Sequence, residues 1–147
     1  MHTLLDDIVS KWHLIAVAFE FPTLEVHLAQ PILSEPEPFV FQGRVVANLP
    51  RAEVTEQSRR FVVHFDVVRA HRVIDESYTT WDDYEQRDST DVIQVLSRSR
   101  FLDQLEAHNG WIFESSTVPR HFRIWTYDAV IDVLAIGEPT VEEAEGE

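Results

Sequence analysis

The segment Arg60-Phe-Val-Val-His-Phe-Asp-Val-Val-Arg69 alternates with period two: Phe61, Val63, Phe65 and Val67 form one row, and Val62, His64, Asp66 and Val68 the other. A β-strand turns successive side chains to opposite faces, so this pattern predicts a strand with one row against a core. Thr23–Ala29 repeats it, with Leu24, Val26 and Leu28 opposed to Glu25 and His27. Residues 12–20, 39–47, 92–96, 121–125 and 130–136 also read as strands, with Gly43 as a candidate bulge. Pro31, Pro36 and Pro38 mark 30–38 as a loop, because proline breaks ladder bonding. Residues 51–58 read as a polar connection.

Two helices are expected. Thr3 caps the first, with Asp6 three residues on and Leu4, Leu5, Ile8, Val9 and Trp12 at helical spacing. Ser99 caps the second, which carries Phe101, Leu102 and Leu105 and stops at Asn109-Gly110. The βαβ alternation of a doubly wound fold is absent. The expected class is α+β: a curved or partly closed antiparallel sheet of about six or seven strands with two short helices. Residues 1–136 read as a single domain and 137–147 as an acidic, mobile C-terminal tail.

At 147 residues, 44% hydrophobic and 26% charged, the chain has the composition of one globular domain. It has no cysteine, which removes disulfides, thiol nucleophiles and Cys-based metal centres and fits a reducing cytoplasm. No stretch approaches the roughly 18 apolar residues of a membrane helix, and Met1–Asp7 lacks a signal peptide's basic start. A cytoplasmic protein without membrane attachment is expected.

The net charge of −14, from 12 basic and 26 acidic residues, disfavours binding to nucleic acid. The charge is uneven. Residues 44–72 hold six arginines against three acids, whereas 73–97 hold one arginine against seven and 124–147 hold seven acids and no base. A basic protein partner, or self-association between basic and acidic faces, would use that pattern.

The four glycines, Gly43, Gly110, Gly137 and Gly146, are too scattered for a phosphate-binding loop, so no nucleotide cofactor is expected. The seven histidines form no HxH, HxxxH or HExxH motif, and no metal or catalytic residue is assigned. Cross-strand meetings of His13 with His27, or of His64 with His121 beside Asp66, stay open. His64, Arg123 and Glu25 would make an acid–base set if brought together.

The most informative segment is 75–91. Tyr78, Trp81 and Tyr84 recur every three residues among Asp75, Glu76, Asp82, Asp83, Glu85 and Asp88. Aromatic anchors ringed by one sign of charge suit a cationic partner. The candidate partner-binding residues are Tyr78, Trp81, Asp82, Asp83, Tyr84 and Glu85; the alternative is that Trp81 packs the segment onto the sheet.

Tyr78-Thr-Thr-Trp81-Asp82, and His121-Phe-Arg-Ile-Trp125 with Val130-Ile-Asp-Val133 and Glu138-Pro139, are similar to segments of small, mostly uncharacterised bacterial proteins of the type found as immunity partners of secreted toxins. No motif of assigned chemistry lies in them, so no residue role carries over. The resemblance implies an acidic immunity protein that neutralises a basic toxin. The rivals are a small enzyme with a site between strands and a homo-oligomeric structural or phage component.

Overall fold

The computed structural model describes residues 1–109 and 118–145. The alternating segment forms two strands, β7 (Arg60–Phe65) and β8 (Val67–Asp75), with Asp66 between them. The chain changes sheets at that residue. β7 joins β1 (His13–Glu20), β2 (Thr23–Ala29) and β13 (Thr140–Ala144) in a four-stranded sheet of order β1-β2-β7-β13. β8 edges a five-stranded sheet with β12 (Ala129–Ile136), β11 (Arg120–Trp125), β10 (Ile93–Arg98) and β9 (Gln86–Arg87), in that order.

β12 and β13 make the same crossing. His64 lies opposite Thr140 and Val67 opposite Ile136, so Phe65 and Asp66 face the three residues Gly137–Pro139. Gly137 turns this corner at φ +80°, a conformation that disfavours a side chain. The doubled ribbon folds both sheets over one core. Leu24, Val26, Leu28, Phe61, Val63 and Phe65 meet Phe122, Ile124, Ile131 and Val133, and Phe65 and Phe122 lie edge to face across it at 5.7 Å. Neither sheet closes into a barrel.

The fold is antiparallel and mainly β, with one α-helix among the described residues, α1 (Arg100–Asn109), rather than the two expected. The N-terminal capping pair forms: Thr3 N–H donates to Asp6 Oδ2 at 2.8 Å, and Leu5 N–H to Thr3 Oγ1 at 3.2 Å. Only one turn results. Asp6 is held by the Val92 N–H at 2.8 Å and Leu5 is drawn into the core, so the chain leaves extended to start β1. Residues 140–144 are not part of a free tail, since β13 pairs with β7 throughout its length. The helix stop expected at Asn109-Gly110 reaches beyond the described residues.

Between β2 and β7 the chain extends an arm. β3 (Ile32–Leu33) pairs with β6 (Ala52–Glu53), and β4 (Glu37–Phe41) with β5 (Arg44–Leu49). Gly43 is the turn of this hairpin rather than a bulge in one strand: Gln42 and Gly43 both have positive φ, 50° and 75°, as a type I′ turn requires. β4 and β5 pair only with each other, and Phe39, Val40, Phe41, Val45, Val46 and Leu49 are all exposed. No helix among the described residues is long and apolar enough to cross a membrane.

Candidate functional site

Across the outer face of the five-stranded sheet, one row of cross-strand neighbours reads Gln94, Arg123, Asp132 and Arg72. His121 shares the face, two residues before Arg123. Burying this much charge is tolerable only if it is paired and hydrogen-bonded. Asp132 meets the condition. Its Oδ1 accepts from His121 Nε2 at 2.6 Å and Arg123 Nε at 2.7 Å, and its Oδ2 accepts from Arg72 Nε at 2.8 Å. Burial alone would push the Asp132 carboxyl up, but the hydrogen bonds from His121 and Arg123 outweigh it and hold the group well below the usual carboxylate range. Burial also works against the Arg123 charge, and the bond to Asp132 more than restores it.

Ser99 Oγ lies 2.5 Å from His121 Nδ1, which gives a Ser–His–Asp chain. It has the composition of a hydrolytic triad and none of its access. Ser99 is 2% exposed, and its Oγ already accepts the Leu102 N–H at 3.0 Å as the N-cap of α1. It also engages Nδ1, whereas the serine-protease arrangement engages Nε2. This is a satisfied structural network, sealed by α1, whose Phe101 ring lies edge-on to His121 and under the Arg72 guanidinium at 4.5 Å.

The second cover is the segment 76–91, where the six expected partner-binding residues lie. Three of them point inward. Arg123 Nη2 donates to both Glu85 oxygens, Oε2 at 3.1 Å and Oε1 at 3.2 Å. Asp82 pairs with Arg100 of α1 and accepts the Tyr84 N–H at 3.0 Å, and the Arg100 bond chiefly holds its carboxyl low. The Tyr84 hydroxyl donates to Asp103, and its ring stacks under Arg100 at 4.5 Å. The other three point outward: Tyr78 is 81% exposed, Trp81 72%, and Asp83 is exposed beside them. Trp81 Nε1 donates to Asp83 Oδ1 at 2.5 Å.

Arg87 secures this ridge from behind. Its Nε is buried without a hydrogen-bond partner, and the guanidinium lies over the rings of Trp81 at 4.4 Å and Trp125 at 5.3 Å. Two indole faces supply the stabilisation that hydrogen bonds do not. A cleft of about 230 Å³ runs beneath, lined by Arg72, Tyr78, Asp82, Glu85, Arg100 and Arg123. Its guanidiniums are matched by carboxylates, so it exerts little pull on an ion.

The histidine pairings that the sequence left open do not form. His13 lies opposite Ala29 and His27 opposite Ala16, while His64 and His121 sit in different sheets. Glu25 and His64 are direct cross-strand neighbours, but Arg123 is in the other sheet. The acid–base set of His64, Arg123 and Glu25 is therefore not assembled. Sequence reading missed Asp132 as a network centre, although a lone carboxylate inside Ala-Val-Ile-Asp-Val-Leu-Ala-Ile is a signal of a buried, paired charge. Comparison of the chain with family models, with curated proteins and with solved structures returns no match.

Proposed function

We propose that this chain is a protein-binding module that holds a basic partner on the ridge at residues 76–91. The carrying observation is the division of that ridge: Asp82, Tyr84 and Glu85 are tied to α1 and β11, while Tyr78, Trp81 and Asp83 are presented to solvent. Anchors fixed before binding lose little freedom on association, and this raises affinity without added contact area. Asp75, Glu76, Asp83 and Asp88 flank them in sequence, and the chain's net charge of −14 speeds encounter with a cation-rich surface. A toxin-neutralising immunity protein in the cytoplasm is the form of this reading that the sequence resemblance favours. The sealed Ser99–His121–Asp132 chain gives the enzyme reading no accessible nucleophile.

The apolar arm supports a second reading, assembly of several copies, because an isolated two-stranded ribbon is marginal in water and apolar side chains here line both strands. Affinity capture from the source cell with wild type and Trp81→Ala as baits separates the two. The binding reading expects a basic protein retained by wild type, weakened by salt and lost from Trp81→Ala. Equal capture by both baits would remove the ridge, and a concentration-dependent oligomer in sedimentation analysis, unchanged by Trp81→Ala, would favour assembly.

A further inference from the structure

Two features of the fold lack cover, and they match one another. The first is the arm. Gln30 N–H donates to Arg59 O at 2.9 Å where the arm leaves the body, and farther out β4 and β5 pair only with each other. Phe39, Phe41, Val45 and Val46 are each more than half exposed, on a ribbon too small to be stable by itself in water. Pro38 has no N–H to offer and blunts β4, whereas β5 has no proline from Arg44 to Leu49.

The second feature is the outer edge of β1. Proteins guard unpaired sheet edges with charge, proline or short length. Of the strands that end the two large sheets, β13 carries Glu142 and Glu143, β8 carries Arg69 and Arg72, and β9 has two residues. β1 has no such guard: it contains no Pro, Lys or Arg, and its single acid, Glu20, is its last residue. Asp128 takes the Leu14 N–H at 3.0 Å, and beyond that point residues 15–20 have no strand on their outer side. Ile15, Phe19 and Phe21 are exposed along this stretch.

We infer that the arm of one copy seats on the β1 edge of a second copy, with β5 continuing the four-stranded sheet. Charge selects this pairing. Residues 38–52 hold Arg44 and Arg51 and no acid, whereas 13–29 hold Glu20 and Glu25 and no Lys or Arg. Arm on arm, or β1 on β1, would bring like charges together and leave the other feature uncovered. A chain of net charge −14 repels its own copies over most of its surface, and the cationic arm is where that repulsion reverses. Ladder bonds to the β1 backbone supply affinity, and the apolar side chains of arm and edge supply specificity. Two such contacts about a two-fold axis close a dimer, and contacts that do not close build a chain.

The inference rests on the assembly reading and is independent of the ridge. The test is sedimentation of the full-length protein with Phe41→Glu in the arm or Ile15→Glu at the edge. The two side chains are 60% and 43% exposed, and far-ultraviolet circular dichroism checks that each variant is folded. Wild type should associate with rising concentration, and each variant alone about tenfold more weakly or less. An equimolar mixture of the two variants should recover a 1:1 complex, because one chain keeps the arm and the other keeps the edge. Wild type that stays monomeric would overturn the inference together with the assembly reading. Association retained in both variants would overturn the inference alone and move assembly to another surface. Loss in Phe41→Glu only, or in Ile15→Glu only, without recovery in the mixture, would replace it with arm-on-arm or edge-on-edge contact.

Discussion

The outer faces of the two sheets carry the same kinds of side chain, histidine and carboxylate at cross-strand spacing, and reach opposite outcomes. On the five-stranded sheet His121, Arg123, Asp132 and Arg72 lie under α1 and the ridge, and Asp132 is 1% exposed with three charged or polar donors. On the four-stranded sheet Glu25, His27 and His64 have no cover and remain half exposed. The difference lies in what sits above the face. Covered charges must satisfy one another and become structure, whereas uncovered ones can also be satisfied by water.

Substitutions should separate the two faces by size of effect. Asp132→Ala strands Arg123, Arg72 and His121, and should cost about 3–5 kcal/mol in urea unfolding. A loss under about 1 kcal/mol would mean that the network is not formed. The pH dependence has a definite sign. Because the folded Asp132 carboxyl is held below its unfolded value, its contribution is fully present above the ordinary carboxylate range and is lost as pH falls towards the lower folded value. Stability measured from pH 6 down to pH 2 should therefore decline less steeply in Asp132→Ala than in wild type.

Ser99→Ala removes both a helix cap and the hydrogen bond to His121 Nδ1, for a loss of about 1–3 kcal/mol. A neutral outcome would show that water replaces the hydroxyl. Glu25→Gln, on the open face, should change stability by no more than about 0.5 kcal/mol. A loss as large as that of Ser99→Ala would place Glu25 among the structural charges and erase the contrast.

Much of the sheet was legible because β2, β7 and the two strands before and after Thr126–Asp128 carry period-two or apolar runs that only burial explains. What pattern does not encode is where a strand changes partner. Asp66 reads as one more outward residue in a ten-residue alternation, yet the chain crosses between sheets there, because only the register with β12 and β13 sets the corner. Capping at Thr3 was legible and the extent of the turn was not, since tertiary bonds to Asp6 end it. The acidic composition of 137–147 hid β13, whose Glu143 bonds Arg59 at 2.7 Å. The ridge shows the same limit. Alternating aromatics and acids marked the segment, but which of them face inward depends on Arg100, Asp103 and Arg123, brought there by the fold.

In the proposed binding role the ridge is held by its inward acids and tyrosine so that Trp81 is free for a partner. Equilibrium unfolding of Trp81→Ala tests it most directly. An indole that serves as an exposed anchor should cost under about 1 kcal/mol when removed, the scale of its contacts with Arg87 and Asp83. A loss of about 3–5 kcal/mol would instead identify Trp81 as a packing residue whose removal opens a cavity, and the anchor role would be gone.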